Sequence, residues 1–123
     1  MEKQTILFVD DEESIRSSVS RKLVKKGYDV ETAVSGEDAI IKLHQTHYSL
    51  VITDLMMGKK NGVDVFNEVY RKNVNTNVMI ITGFASSPLL ETALALGPCG
   101  YLLKPFKSAE LYQMIQKCLD KTS

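Results

Sequence analysis

Tryptophan is missing from this chain of 123 residues, and cysteine, histidine and proline are scarce. The two cysteines, Cys99 and Cys118, are too few for a disulfide framework and carry no metal-ligand spacing. Cys99 sits among Gly97, Pro98 and Gly100 in an expected turn, and Cys118 falls on the apolar face of a helical pattern. Both read as reduced thiols of a cytosolic protein. The two histidines, His44 and His47, come late in or just after a helical stretch and read as solvated, and no histidine-based nucleophile and base are paired. Net charge is zero, with 15 basic and 15 acidic residues, which argues against a generic nucleic-acid or anionic-membrane binder. No apolar run approaches the roughly 18 residues of a membrane span, and Met1-Glu2-Lys3-Gln4 does not open a signal peptide. Repeats, low-complexity tracts and linkers are also lacking. These absences leave one cytoplasmic domain over residues 1–123, large enough to bury a core without staples.

What is present is a set of short apolar runs that each stop on a polar residue. Phe8-Val9 ends at Asp10-Asp11, Val51-Ile52-Thr53 at Asp54, Ile80-Ile81 at Thr82, and Leu102-Leu103 at Lys104. Thr5–Val9, Ser49–Thr53 and Val78–Ile81 are apolar enough for strands covered on both faces. Tyr28–Ala33 instead alternates, with Asp29 and Glu31 between apolar or β-branched neighbours, as an edge strand does. Tyr101–Leu103 is a short fifth strand.

Helical patterns separate the strands. Ile15, Val19 and Leu23 recur at four-residue intervals behind an acidic start. Ser35-Gly36-Glu37-Asp38 resembles a capping box ahead of inward Ala39, Ile40 and Leu43. Val65, Phe66 and Val69 mark a third helix, Ser87-Pro88 caps a fourth that ends at Gly97, and Ser108 caps a fifth striped by Leu111, Ile115, Cys118 and Leu119. Tyr48, Tyr70 and Tyr112 read as surface or boundary residues. Strand and helix alternating five times predict an α/β fold: a doubly wound, flavodoxin-like parallel sheet in the order 2-1-3-4-5. Ligands in such sheets bind beyond the carboxyl ends of the strands where the order reverses, here between Asp10-Asp11 and Asp54.

Carboxylates that converge at one sheet edge repel one another unless a cation or proton relieves them. Oxygen-only ligands suit Mg²⁺, with Mn²⁺ as the alternative. A carboxylate beside such an ion is placed to attack a phosphoryl group, with the Thr82 hydroxyl and the Lys104 ammonium available to the phosphoryl oxygens. Singly, each residue reads as a cap, a loop carboxylate or a surface charge. Four coincident strand ends favour a joint site.

Val9-Asp10-Asp11-Glu12, Asp54-Leu55-Met56-Met57 with Gly62 beyond it, Thr82-Gly83 and Lys104-Pro105-Phe106 together resemble the receiver domain of two-component response regulators, from about Thr5 to Leu119. The resemblance implies that Asp54 accepts a phosphoryl group from the phosphohistidine of a histidine kinase or phosphotransfer protein. It implies Mg²⁺ held by Asp11, Asp54 and the Met56 carbonyl, with Asp10 acting through water. Thr82 and Tyr101 are then switch residues, Lys104 pairs with the phosphoryl group, and the Lys104-Pro105 bond is cis. Met56 and Phe84 flank the site and restrict attacking water. Gly58 stands where relatives often have proline, which implies a looser loop. The domain is expected to be a switch that catalyses its own phosphorylation and dephosphorylation, not a turnover enzyme. Its expected output face, and a phosphorylation-dependent homodimer, lie on the fourth helix, fifth strand and fifth helix, with no direct nucleic-acid or membrane contact. Two rivals stay open: a Mg²⁺-dependent phosphohydrolase, for which Met56 stands where a second Asp is usual, and an interaction module that needs no phosphate.

Overall fold

In the computed structural model, which describes residues 3–72 and 75–120, strands and helices alternate from end to end. They are β1 (Thr5–Val9), α1 (Glu13–Lys25), β2 (Asp29–Ala33), α2 (Gly36–Gln45), β3 (Leu50–Asp54), α3 (Gly62–Lys72), β4 (Asn77–Thr82), α4 (Pro88–Ala95), β5 (Gly100–Leu103) and α5 (Ser108–Asp120). Met1, Glu2 and 121–123, the ends of the expected 1–123 domain, lie outside the described residues. All pairings are parallel, in the order β2-β1-β3-β4-β5, and the doubly wound prediction holds.

Successive side chains of a strand point to opposite faces, so a strand apolar throughout builds two cores. Leu7, Val9, Val51 and Ile80 pack under α2, α3 and α4. Ile6, Phe8, Ile52, Met79 and Ile81 pack under α1 and α5. Each fully buried side chain of this size contributes about 1.5–3 kcal/mol by leaving water. Edge strand β2 keeps its charges outward, with Asp29 and Glu31 exposed.

Local chemistry sets the helix ends. The Ser35 hydroxyl accepts the Asp38 N–H at 3.0 Å, and the Asp38 carboxylate reaches back to the Val34 N–H at 3.0 Å. Asn61 caps α3 by accepting the Val63 and Asp64 N–H groups, while Asp64 accepts the Asn61 N–H. Ser87 accepts the Leu89 N–H at 3.1 Å, with Pro88 opening α4. Gly97 takes the left-handed backbone, φ 80°, that closes α4. Among the described residues no helix is long and apolar enough to cross a membrane.

Four expectations need correction, and a fifth, the exposed His44, gains a partner. Cys99 and Cys118 are not free thiols but a disulfide, because the last turn of α5 lies over the start of β5 with Cα atoms 5.2 Å apart. Tyr48 is no boundary residue. It is 1% exposed, and its hydroxyl donates to Glu31 Oε1 at 3.0 Å. His44 is half-exposed but bonded, its Nε2 lying 2.9 Å from Glu68 Oε2. Ser108 is the first residue of α5, and the Glu110 carboxylate accepts the Lys107 N–H there. β3 runs one residue later than read, since Asp54 still pairs with Ile81.

Candidate phosphoacceptor site

The carboxyl edge of the sheet gathers residues from four strands. Asp10 follows β1, Asp54 ends β3, Thr82 ends β4, and Lys104 follows β5. Backbone bonds extend the pairing past the strand ends: the Asp10 N–H donates to the Ala33 carbonyl at 3.2 Å, and the Lys104 N–H to that of Thr82 at 2.8 Å. The four polar residues are therefore carried by the sheet itself.

Lys104 is the hub. Its Nζ lies 2.9 Å from Asp10 Oδ2, 2.9 Å from Asp54 Oδ2 and 3.9 Å from Glu12 Oε1. Asp10 and Asp54 are buried, whereas Asp11 and Glu12 are exposed. Asp10 is fixed twice more, its Oδ1 accepting the Glu12 N–H at 2.9 Å and its carbonyl the Arg16 guanidinium at 2.8 Å. Burial pushes the Asp54 carboxyl above its ordinary value, reinforced by the charge of Asp10. Lys104 and the Met56 N–H pull the other way without overcoming it. For Lys104, burial alone favours loss of its proton, but the bonds to Asp10 and Asp54 outweigh burial and raise its pKa.

Thr82 is buried, its hydroxyl accepting the Phe84 N–H at 3.1 Å. Tyr101 lies on β5 with its ring outward, 43% exposed. Met56 and Phe84 are exposed beside each other and line a 480 Å³ cleft with Gly83 and Ser86. The loop after Asp54 is closed at its base by the Gly62 N–H, which donates to the Leu55 carbonyl at 3.0 Å. A Cβ on Gly62 would stand 2.8 Å from the Asp54 carbonyl oxygen, so only glycine lets the chain turn so close to the acid. The Lys104-Pro105 bond is cis, as expected.

The donor set fits a hard divalent cation. Carboxylate oxygens of Asp10, Asp11 and Glu12 lie within 4.8 Å of one another, and no sulfur or imidazole is among them. Sequence reasoning gave Glu12 no part in this cluster. Its signal was the third consecutive acid after an apolar strand.

A doubly wound sheet with an acidic pocket and an opposed lysine at its carboxyl edge defines a phosphoacceptor-type signalling module. Residues 6–116 match the response regulator receiver domain family, and the chain belongs to it. Receiver domains are signalling switches that are phosphorylated and bind Mg²⁺ at an acidic pocket. The chain is 38% identical to a probable transcriptional regulator, ycf27, of Porphyridium aerugineum over its whole length, and 32% identical over 90% of its length to the transcriptional regulatory protein DltR of Streptococcus agalactiae. It spans about half the length of these curated relatives. Among solved structures it resembles the chemotaxis protein CheY4 of Vibrio cholerae (31% identity, TM-score 0.88, covering 96% of this chain and 100% of that one). It also resembles the response regulator TrrA of Thermotoga maritima in complex with Mg²⁺-BeF (31% identity, TM-score 0.83, covering 94% and 99%).

Proposed function

We propose that Asp54 is the phosphoacceptor of this receiver domain and that its donor is the phosphohistidine of a sensor histidine kinase or phosphotransfer protein. The observation that carries the reading is the single ammonium of Lys104 held between Asp10 and Asp54. Such an arrangement favours the ionised form of a buried carboxylate against the cost of burial, and holds it aligned next to the cation its product will need. An Asp54 oxygen attacks phosphorus, the P–N bond of the donor breaks, and the imidazole leaves with the electron pair. Lys104 then turns from carboxylate to phosphoryl oxygen, and the Thr82 hydroxyl donates to another.

Mg²⁺, or Mn²⁺ in its place, would be held by Asp11, Asp54 and the Met56 carbonyl, with Asp10 reached through water. When bound, it neutralises charge on the transferred oxygens. The structural likeness to TrrA, solved in complex with Mg²⁺-BeF, supports a Mg²⁺ site on this fold. Met56 and Phe84 stand over the cleft and limit the approach of hydrolytic water.

The new dianion draws Thr82 inward and Tyr101 follows into the space vacated, which converts charge into a change on the α4–β5–α5 face. Leu94, Tyr101 and Leu103 are exposed there, and this is the surface we assign to a homodimer or output partner. The domain acts as a switch in the cytoplasm, modifying itself rather than turning over an external substrate.

The test is intact mass after incubation with acetyl phosphate and Mg²⁺. The expected result is one added phosphoryl group in the wild type, and none in Asp54→Asn or with chelator. Phosphate on Asp54→Asn, or none on the wild type, refutes the assignment.

A further inference from the structure

The disulfide between Cys99 and Cys118 does more than join two neighbours. The two cysteines stand 19 positions apart, and the loop they close takes in β5, Tyr101, Lys104 and most of α5. Both attachment points are also held by hydrogen bonds: the Cys99 N–H donates to the Val78 carbonyl at 2.9 Å, and the Asn77 amide to the Cys118 carbonyl at 2.8 Å. Between them α5 seats Leu111 and Ile115 in the core, and Gly100 makes room for Met114, since a Cβ there would collide with the Met114 sulfur. The segment carrying Lys104 is thus pinned to the sheet by a bond that a thiol can reduce.

The surroundings also accommodate the reduced pair. The Val78 carbonyl oxygen lies 3.3 Å from Cys99 Sγ and can accept its S–H, and Cys118 is wholly buried among apolar side chains, where a thiol packs as a small hydrophobe. Neither oxidation state leaves an orphaned buried polar group, which is what a reversible couple requires.

We propose that Cys99–Cys118 is a thiol–disulfide exchange site for a dithiol reductant, and that its redox state sets how freely the β5–α5 segment moves in the phosphorylation switch. A thiolate of the reductant attacks the Sγ of Cys99, the residue with some exposure, 7% against 0% for Cys118. The S–S bond breaks and Cys118 leaves as a thiolate that takes a proton. The second thiol of the reductant then displaces Cys99, so two electrons and two protons pass to the pair and the dithiol departs as a disulfide. The mobility consequence rests on the reading of Lys104 and Tyr101 given above, whereas the exchange itself does not.

The experiment compares protein purified in air with the same protein after dithiothreitol, and with Cys118→Ser. Expected first is a mass two hydrogens lighter for the air-purified form, and a melting temperature about 10 °C lower after reduction, from the roughly 20-residue loop released. Expected next is faster amide exchange in α5, and a different extent of acetyl-phosphate labelling in the reduced form, with Cys118→Ser matching it. A chain that stays dithiol after glutathione disulfide treatment overturns the exchange site. Identical labelling and α5 exchange in both redox forms overturns the coupling. If no form is labelled but the mass and melting shifts appear, the assignment of Asp54 fails and the exchange site stands.

Discussion

Replacing Lys104 with methionine keeps most of the side-chain volume and deletes its charge. The ammonium is the partner of two carboxylates, Asp10 with none of its side chain exposed and Asp54 with 8% exposed, each at 2.9 Å. Removing one member of a buried ion cluster costs about 3–5 kcal/mol, because the charges left behind have lost both water and their counter-charge. Lys104 is itself 18% exposed, so water can reach the vacancy. The lower end, about 3 kcal/mol, therefore applies. With an unfolding entropy of about 2.1 cal/mol/K per residue over 123 residues, that is a fall of roughly 12 °C in melting temperature. Asp54 titrates above its ordinary value, so the folded state's preference for its protonated form is complete below pH 3.8 and fades as pH rises. The deficit in Lys104→Met therefore belongs to neutral pH and shrinks on acidification toward pH 4. Urea unfolding followed by circular dichroism at pH 7 and pH 4, with chelator present, reads both quantities. Lys104→Met combined with Asp54→Asn is expected to recover at least half of the loss. A deficit under about 1 kcal/mol at pH 7, or one unchanged at pH 4, would refute the electrostatic account.

Alkaline pH attacks the fold from the other side. Lys104's raised pKa supports the folded state fully below 10.5 and loses that support as pH climbs through its folded value. Tyr48, pushed up to about 12 by burial and then by its bond to Glu31, behaves alike between 10 and 12, so Tyr48→Phe is expected to flatten the decline in melting temperature above pH 10. Gly36→Ala would drive a methyl into the backbone of Lys60, displacing the loop that carries the Met56 carbonyl. The expected cost is about 1–3 kcal/mol together with several-fold weaker Mg²⁺ binding by calorimetry, and wild-type affinity would show that α2 does not support that loop. Ser35→Ala removes the α2 cap and is expected to cost about 1 kcal/mol in urea unfolding, a loss Ser35→Asp should largely restore.

Most of the fold is legible because its strands are apolar on both faces and its helices on one, and those two periods differ. The limits of that reading are also physical. Hydropathy stops at Thr53, yet the backbone of Asp54 pairs with Ile81, since ladder bonds are indifferent to the side chain. Tyr48 looks amphipathic in sequence, and its buried ring is matched by a hydroxyl that reaches the distant, exposed Glu31 on β2. Glu68 and His44 sit on different helices, and their bond depends on how α2 meets α3. The Asn61 cap does have a local signal, the Asn-Gly-Val-Asp run that opens α3.

By itself the sequence determined which residues would end the strands, because a run of β-branched and aliphatic residues that stops on Asp, Thr or Lys places that group at an edge whatever the partner strands do. It could not determine what those groups touch. That Lys104 lies between Asp10 and Asp54, and that Cys99 meets Cys118, follows from strand order and from the packing of α5, which bring together positions 94, 50 and 19 residues apart. Distances of that kind are set by the closing of the sheet and the seating of its helices, and local pattern carries no record of them.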